Sequence, residues 1–358
     1  MQTAGAEVQL DVSIAVFDDG AITVERVDLP DRSAGEIDVA ISAAAICGSD
    51  LHTVLGHRSA PARTALGHEA VGRVADLDDG TTDFRGTPLR RGDRVVFSML
   101  SECGSCDRCR AGLTMKCRSL LKYGHESVTT PPHATGTLAE QVRLLPSVPV
   151  LRVPDDVADV QVVSAGCAVA TAAAVVAAAG TPPPGTRILV LGVGAVGAYC
   201  AAMFATLGCA VQVRDPSPER LALAAQLGAQ PADSDGEPFS VVVEASGSSS
   251  AVLEALNAAD VGGHVVAAGS VSLGSSTVTI DPALLVTRRL RVTGLHNYTA
   301  ENFRWGVDWL VAHGRHLGLE RLVSPPFPLS AVDEAFQLMK DGRYPRVLVR
   351  PDGHGDPA

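Results

Sequence analysis

The stretch Arg187-Ile-Leu-Val-Leu-Gly-Val-Gly-Ala-Val-Gly197 decides the fold of the second half of this 358-residue chain. Its apolar run predicts a buried strand, and the G-x-G-x-x-G pattern predicts a tight turn into a helix that extends to Leu207. Two further apolar runs, 240–244 and 264–269, alternate with segments compatible with helix. This alternation predicts an α/β fold with a doubly wound parallel sheet.

The glycine turn also predicts a dinucleotide site, because its glycines let a helix N-terminus approach a pyrophosphate. The next predicted strand, 210–215, ends in Asp215, 23 residues after Gly192, where an acid accepts hydrogen bonds from ribose hydroxyls. An acid there repels a 2′-phosphate, so we expect NAD rather than NADP, although Arg214 also flanks it. The predicted cofactor residues of this half are Gly192, Gly194, Val196, Gly197, Asp215 and Arg220.

In the first half, Cys47-Gly-Ser-Asp-Leu-His52 and Gly67-His68-Glu69 place metal-binding and proton-transfer groups within 23 residues. Catalytic zinc uses three protein ligands and leaves a fourth position to water or substrate. Cys47 and His68 therefore need a partner, for which Cys167 in Ser-Ala-Gly-Cys-Ala is the candidate. The alternative is that these are small buried residues and a satisfied core histidine, which is the usual reading of lone residues.

Four more cysteines follow as C-x2-C-x2-C-x7-C, at 103, 106, 109 and 117. Four thiolates at short spacing close a tetrahedron around a structural zinc ion. A ferredoxin-type cluster would close as C-x3-C-P, whereas Cys117 follows a gap of seven residues and precedes Arg118. Disulfides would need an oxidising compartment. The sequence thus predicts two zinc ions per chain, one catalytic and one structural.

Composition narrows the class of protein. With 46% hydrophobic and 19% charged residues the chain is globular, and its length predicts two domains. A net charge of -11 argues against a nucleic-acid partner. Residues 1–7 lack a signal-peptide pattern, so we expect a cytoplasmic protein. The uncharged, Ala-rich stretch 162–180 is interpreted as a buried helix rather than a membrane span.

Short alternating apolar runs in 7–46, 71–74 and 94–97 predict a β-rich opening third. After residue 300 the pattern predicts an amphipathic helix, a Pro-rich turn at 325–328, a second helix at 331–340 and a closing strand from Arg346. We expect this tail to return to the first domain.

Five motifs together resemble one family: C-G-S-D-L-H at 47–52, G-H-E-A-V-G at 67–72, G-D-R-V at 92–95, the four-cysteine lobe, and G-V-G-A-V-G at 192–197. The chain resembles, over essentially its whole length, the zinc-dependent alcohol dehydrogenases of the medium-chain dehydrogenase/reductase superfamily. The resemblance implies a GroES-like β-rich catalytic domain plus a Rossmann domain, with cofactor and substrate in the cleft. The implied ranges are 1–167 with 299–358, including a structural zinc lobe at 100–118, and 168–298.

The resemblance also implies roles. Cys47, His68 and Cys167 bind the catalytic zinc, which acts as a Lewis acid on the alcohol oxygen. The remaining implied roles are Glu69 beside the metal, Asp50 on the second ring N–H of His68, Ser49 and His52 in a proton relay, and Arg346 at the cofactor pyrophosphate. Hydride passes to a nicotinamide whose carboxamide is held by backbone near 267–270. Alternatively, Ser49 only caps a helix and His52 is a surface histidine.

Five residues are expected near the substrate by position: His57, Arg58, Met99, Lys122 and His125. Their positive character favours an anionic alcohol, because Arg and Lys bind phosphate or phosphonate oxygens through charge-assisted bonds. The motifs at 49–58, 120–126, 165–171 and 294–298 are similar to those of alcohol dehydrogenases linked to phosphonate metabolism. The alternative is that these are solvated loop charges.

Two other hypotheses about the function stay open. One is a polyol or amino-alcohol dehydrogenase of the same superfamily, although polyol relatives often carry Glu where Cys167 stands. Another is a cofactor-binding relative without catalysis. The family also assembles as homodimers or homotetramers, commonly through edge strands of the cofactor domain, for which 278–280 is the candidate segment.

Overall fold

The computed structural model describes residues 10–233, 236–271, 274 and 276–353. The segment 1–7, on which the expectation about a signal peptide depends, lies outside these residues. The chain divides into two compact units. The first comprises the residues up to Gly112, Lys116–Val163 and the segment from Val323 onward. The second comprises Leu113–Met115 and Ser164–Leu322.

The first unit consists mainly of strands. These are β1 (Leu10–Asp18), β2 (Ala21–Leu29), β3 (Ile37–Ile46), β4 (Thr64–Ala65), β5 (Glu69–Asp76), β6 (Arg94–Phe97), β7 (Leu100–Ser101), β8 (Leu121–Lys122), β9 (Gln141–Leu144), β10 (Val150–Arg152), β17 (Phe327–Pro328) and β18 (Val347–Arg350). Its helices are α1 (Gly48–Val54), α2 (Asp107–Arg110), α3 (Asp159–Val162) and α10 (Val332–Lys340).

These strands form a seven-stranded sheet, a three-stranded sheet and a two-stranded ribbon. The large sheet has the order β10-β6-β5-β3-β18-β17, with β9 also paired to β3. Strand β3 is almost wholly buried, because its run Ile37–Ile46 is apolar on both faces. Strand β18, near the end of the chain, pairs antiparallel with β3, so the tail completes the sheet of the first unit.

The second unit alternates strands with helices. Its strands are β11 (Arg187–Leu191), β12 (Ala210–Arg214), β13 (Gln230–Pro231), β14 (Phe239–Glu244), β15 (Ala259–Ala267) and β16 (Arg291–Gly294). Its helices are α4 (Ala170–Ala178), α5 (Ala195–Thr206), α6 (Pro218–Gln226), α7 (Ser249–Ala258), α8 (Pro282–Arg288) and α9 (Ala300–His313).

The sheet of the second unit is parallel, with the order β13-β12-β11-β14-β15-β16. In chain order this is 3-2-1-4-5-6, the doubly wound arrangement that the alternating pattern predicts. The order of the strands reverses between β11 and β14. In such sheets ligands bind beyond the carboxyl ends of the strands at this switch point.

The unit boundaries differ from the expected ones at 167 and 299. Helix α9 packs with the second unit, where the Tyr298 hydroxyl donates a hydrogen bond to the carbonyl of Gly166. The indole of Trp309 donates a hydrogen bond of 2.8 Å to the Thr206 hydroxyl of α5. These contacts hold residues 299–322 in the second unit, and the tail returns to the first unit from Val323.

The Ala-rich stretch lies in a helical segment, Asp159–Ala178, that is long and apolar enough to cross a membrane by length and composition alone. A π-helical turn, Ala165–Val169, interrupts it. Of its most apolar window, 72% is buried inside the fold, as in the core helix of a soluble protein. Burial therefore accounts for its apolar composition.

The expected edge segment 278–280 lies outside any strand, and this expectation is corrected. The two edge strands of the parallel sheet are β13 and β16. The chain after Ile280 turns into α8, whose start is fixed by the Asp281 side chain accepting from the amide of Ala283, with Pro282 at the first helical position.

Candidate active site and metal sites

The first metal-binding group forms where strand β3 passes into α1. Cys47 caps α1, and its amide donates a 2.9 Å hydrogen bond to one oxygen of Asp50. The other oxygen accepts from the amide of Gly67 at 3.1 Å and makes a 3.2 Å ion-pair contact with Nδ1 of His68. Asp50 is fully buried. It thereby fixes both the imidazole and the two chain segments that carry the donor atoms.

Cys47, His68 and Glu69 form a compact donor set. One ligand atom from each lies within 4.8 Å of the others, and all three residues are buried. Burial acts to lower the pKa of His68, but the Asp50 carboxylate and the Cys47 sulfur outweigh it and raise that pKa to about 10. Thiolate, imidazole and carboxylate are the ligands that zinc prefers. The residues therefore fit a zinc ion, whose binding would displace the imidazole proton.

Two residues expected in proton transfer lie next to this donor set. The hydroxyl of Ser49 is 3.1 Å from Nε2 of His68, the ring nitrogen opposite the one that contacts Asp50. His52 is exposed on the next turn of α1, with its Nδ1 3.4 Å from Nδ1 of His57. Ser49 does not cap α1, since Cys47 occupies that position.

Glu69 is held by an ion pair that the sequence does not reveal. Both of its oxygens accept hydrogen bonds from Arg346, from Nε and Nη2, each at 2.7 Å. The Nη1 group of Arg346 donates to the carbonyl of Pro345. Burial raises the pKa of Glu69, and Arg346 opposes that shift. The pair forms because β5 and β18 both flank β3, which brings together residues 277 positions apart.

Two of the five expected substrate residues, Arg58 and His125, form a pair beside His68. Nη1 of Arg58 lies 3.0 Å from Nε2 of His125, and the ring centroids of His125 and His68 are 5.0 Å apart. Burial lowers the pKa of His125, and the charges of His68, Arg58 and Lys122 lower it further. A neutral His125 accepts the hydrogen bond that Arg58 donates. Burial also lowers the pKa of Arg58.

Met99 and Lys122 lie close to each other, because Met99 precedes β7 and Lys122 ends the paired strand β8. The amide of Tyr123 donates to the carbonyl of Met99 at 2.9 Å, and Leu100 pairs with Lys122. The fifth residue, His57, is exposed and contacts His52 rather than His68.

The four cysteines of the lobe also come together. Their sulfur atoms all lie within 4.8 Å of one another. The distances are 3.5 Å from Cys106 to Cys109 and 3.4 Å from Cys103 to Cys117. A zinc tetrahedron has sulfurs roughly 3.8 Å apart, whereas a disulfide places them about 2 Å apart. Amides of Ser105 and Cys106 lower the pKa of Cys103 to about 5. The lobe therefore fits a four-thiolate zinc ion.

In the second unit, the glycine turn follows β11 and leads into α5, which Gly194 caps. The amide of Val193 donates to Asp215 at 2.7 Å, and Nη1 of Arg220 lies 3.8 Å from the same oxygen. A Cβ on Gly197 would lie 1.9 Å from the carbonyl oxygen of Gly192, so only glycine fits there. Val196 is half-buried on the first turn of α5.

Comparison with known proteins finds two matching family models. Residues 33–155 match the family model "Alcohol dehydrogenase GroES-like domain", and residues 195–312 match "Zinc-binding dehydrogenase". An L-threonine 3-dehydrogenase of Chelativorans sp. is 28% identical over 349 residues, 91% of this chain and 94% of that protein. A 2-dehydro-3-deoxy-L-galactonate 5-dehydrogenase of Pseudoalteromonas atlantica is 28% identical over 322 residues, 86% and 88% of the two chains.

The chain belongs to the zinc-type alcohol dehydrogenases of the medium-chain dehydrogenase/reductase superfamily. The crystal structure of an alcohol dehydrogenase from Thermotoga maritima has the same fold, with a TM-score of 0.88 at 24% identity over 96% of this chain and 100% of that one. The predicted fold class, a GroES-like unit plus a Rossmann sheet, is confirmed. This zinc-type dehydrogenase is an enzyme of the NAD(P)-dependent alcohol and polyol class.

In this zinc-type dehydrogenase, Cys167 lies in the second unit, half-buried on the π-helical turn Ala165–Val169. Its amide donates to the carbonyl of Ser164 at 3.3 Å. Such turns occur frequently at functional sites. The role of Cys167 as third zinc ligand stays a prediction.

Sequence reasoning missed Gly124 of this dehydrogenase. A Cβ at this position would lie 2.3 Å from the carbonyl oxygen of Gly67 and 3.1 Å from Cβ of His68. Only glycine lets the backbone at 124 approach Gly67 and His68 this closely. The available signal was a glycine inside the polar run Lys122-Tyr-Gly-His-Glu126.

Proposed function

We propose that this enzyme is a zinc-dependent, NAD-linked dehydrogenase of a small anionic alcohol, with a phosphonate-bearing alcohol as the leading candidate. The observation that carries the proposal is the Arg58–His125 pair, in which the ring of His125 lies against the ring of His68, a proposed zinc ligand. A half-buried guanidinium one ring away from the donor set would hold an anionic group while the alcohol carbon stays near the metal.

The catalytic zinc would be held by Cys47, His68 and Cys167, with Glu69 beside it. Bound there, it would supply Lewis-acid polarisation of the alcohol oxygen. The Ser49 hydroxyl would accept the alcohol proton from its position against His68, and His52 would release it to solvent. The four-cysteine lobe would hold a second, structural zinc ion, which gives two zinc ions per chain.

The cofactor proposed is NAD. The Asp215 carboxylate, already an acceptor for the amides of Val193 and Ser217, keeps lone pairs for ribose hydroxyls. The pyrophosphate would meet the amides at the start of α5, with Arg346 as a further contact, and backbone near 267–270 would hold the nicotinamide carboxamide. Arg220 near Asp215 is the residue that would favour a 2′-phosphate. Comparison of NAD with NADP as hydride acceptor tests this preference.

The substrate proposal is tested by NADH formation over alcohols matched in length that carry a phosphonate, a carboxylate or no charge. We expect the wild-type enzyme to prefer the phosphonate. In Arg58→Ala we expect kcat/KM to fall roughly 10- to 100-fold for the anionic alcohols and to stay within about threefold for the neutral ones.

The matched control is Arg63→Ala, which removes a guanidinium from the same loop that pairs instead with Glu25. It should leave all three substrate classes unaffected. Equal losses for anionic and neutral alcohols in Arg58→Ala would refute the anion site and leave the dehydrogenase reaction in place.

A second candidate is an amino-alcohol dehydrogenase, favoured by the relative named L-threonine 3-dehydrogenase that covers 91% of this chain. Threonine also carries a carboxylate, which Arg58 would bind in the same way. Faster turnover of L-threonine than of any phosphonate alcohol would decide for this candidate.

Two further proposals concern the enzyme as a whole. We expect a cytoplasmic homodimer or homotetramer, supported by the edge strand β16, whose Val292 is 49% exposed, and by Val286, which is 75% exposed. Light scattering of the purified enzyme and fractionation of the source cell would test the two statements.

A further inference from the structure

A buried carboxyl group stands at the point where the order of the parallel strands reverses. Glu244 is the last residue of β14 and is fully buried. Its Oε1 accepts three hydrogen bonds, from the amides of Ser246 and Gly247 at 2.7 Å each and from the Ser246 hydroxyl at 2.8 Å. All three donors belong to the turn that follows β14.

The main chain of Glu244 is tied to the neighbouring strands as well. Its carbonyl accepts from the amides of Ala268 and Gly269, at 2.8 and 2.9 Å, in the turn after β15. On the other side, the amide of Ala245 donates to the carbonyl of Leu191, the last residue of β11. Glu244 thus lies between the turns after β11 and β15.

The turn that Glu244 holds is packed against both of those turns. A Cβ on Gly192 would lie 2.7 Å from Cβ of Ser246. A Cβ on Gly269 would lie 2.3 Å from the amide nitrogen of Gly247. Residues 246–247 are therefore tightly packed against both turns. If they move, the glycine turn after β11, the turn after β15, or both must move as well.

The second carboxyl oxygen, Oε2, has no hydrogen-bond partner among the residues that the structure describes, and Glu244 lines a cavity of about 180 Å³. The lining of that cavity is otherwise apolar and includes Val252, Leu256, Val265 and Leu285. A buried polar oxygen without a partner costs free energy. The three hydrogen bonds to Oε1, which fix the turn, act against this cost.

We infer that Glu244 is a positioning residue for the dinucleotide. Through residues 246 and 247 it sets the glycine turn that would meet the pyrophosphate and the 267–270 turn that would hold the nicotinamide. The inference rests on the proposed cofactor site, and it assigns to that site a residue that touches no cofactor atom. Its removal should weaken dinucleotide binding, whereas the donor set around His68 stays intact.

The experiment is a graded series on the zinc-loaded enzyme: Ser246→Ala, Glu244→Gln and Glu244→Ala, each titrated with NADH and followed by fluorescence. Ser246→Ala removes one donor, Glu244→Gln keeps a weaker neutral acceptor, and Glu244→Ala removes the anchor. We expect the NADH dissociation constant to rise about twofold, about fivefold and at least about twentyfold, respectively. The KM for NAD should rise in parallel, while the KM for alcohol and the zinc content stay unchanged.

The matched control is Asp83→Asn in the first unit. Asp83 is also buried and accepts hydrogen bonds from the amides of Arg85, Thr87 and Arg152, so it anchors a turn in the same way. This variant should lower the melting temperature and leave NADH binding unchanged.

Equal NADH dissociation constants in the wild type and both Glu244 variants, with lowered melting temperatures as in Asp83→Asn, would overturn the inference. If Glu244→Ala fails to fold, Glu244→Gln and Ser246→Ala decide the question. A wild-type enzyme that binds neither NADH nor NADPH would instead refute the proposed function, and the inference with it.

Discussion

The four-cysteine lobe and the buried donor set around His68 offer zinc ligands by different means. The lobe draws its sulfurs from 15 consecutive residues, and its own backbone amides lower the pKa of Cys103. The buried set draws Cys47 and Glu69 from the ends of two strands and depends on Arg346, 277 residues beyond Glu69. The lobe is a local chelate, whereas the buried set exists only when the large sheet of the first unit has formed.

The ion pairs beside the two sets of zinc ligands also differ in their exposure to solvent. In the lobe, Arg118 and Asp107 form a pair whose side chains are 60% and 61% exposed. In the buried set, Arg346 and Glu69 are 5% and 0% exposed. Solvent screens the first pair and not the second, so their removal should have very different consequences.

The strongest effect is expected from the loss of a ligand at the proposed catalytic zinc site. Cys47→Ser should lower kcat at least about 10⁴-fold, because the Lewis acid at the alcohol oxygen is lost. Zinc content should fall from about two to about one ion per chain, the lobe keeping its own. Metal analysis and NADH formation measure both. Cys209→Ser, a buried cysteine outside either donor set, is the control. Retention of two zinc ions by Cys47→Ser would contradict the assignment.

The next effect concerns the two ion pairs. Arg346→Leu should lower the free energy of unfolding by about 3–5 kcal/mol, since Glu69 would be left buried without its partner. Arg118→Ala in the lobe should leave the free energy of unfolding almost unchanged, because solvent screens the exposed pair with Asp107. Denaturant titrations of the zinc-loaded, cofactor-free protein give the difference. Replacing Glu69 and Arg346 together by leucine should recover much of the loss. Similar values for the two single variants would remove the distinction.

The smallest effect is in the pH dependence of zinc binding. Because Asp50 helps raise the pKa of His68 to about 10, the metal-free donor set keeps an imidazole proton that zinc must displace. Between roughly pH 6.5 and 9, this proton should make zinc affinity rise about tenfold per pH unit. In the zinc-free protein the raised pKa stabilises the fold fully below about pH 6.5, and that contribution is lost as the pH rises through about 10.

Asp50→Asn provides the check. It removes the carboxylate that raises the pKa of His68, so the pH slope of zinc affinity should be shallower by one proton, measured by chelator competition at several pH values. Zinc affinity at the buried set should also fall about 10- to 100-fold, while the lobe is unchanged. An unaltered slope in Asp50→Asn would show that the proton is not on His68.

Most of the fold was predictable, because the periodicity of apolar residues is a local property. The run 187–191 and its glycine turn indicated β11 and α5, and the alternating runs near the N-terminus indicated β1 to β3. The domain boundaries were less accessible. Helix α9 has an amphipathic pattern that fits either unit, and its packing with the second unit depends on contacts such as Trp309 with Thr206. The segment 278–280 has strand-forming residues, yet it forms no strand and leads directly into helix α8, which begins at Pro282.

Within the candidate site the same division holds. The spacing of Cys103 to Cys117 was sufficient to predict the cysteine cluster of the lobe, because four sulfur atoms carried by 15 consecutive residues cannot lie far from one another. The spacing of residues did not predict the pairing of Glu69 with Arg346. It did not predict the close approach of Gly124 to Gly67 either. Both need strands and loops that are distant in the chain to become neighbours.

The amino-acid sequence specifies which chemical groups this enzyme has and which of them lie close together along the chain: the thiols of the lobe, the segment with Ser49 and His52, and the glycine turn with its acid. Only the tertiary structure decided which distant groups share a buried environment, such as Glu69 with Arg346, Arg58 with His125, and Glu244 with the turns on either side. The reason is physical. Local spacing is fixed by covalent geometry, whereas burial, ion pairing and pKa shifts depend on which strands become neighbours in the folded sheets.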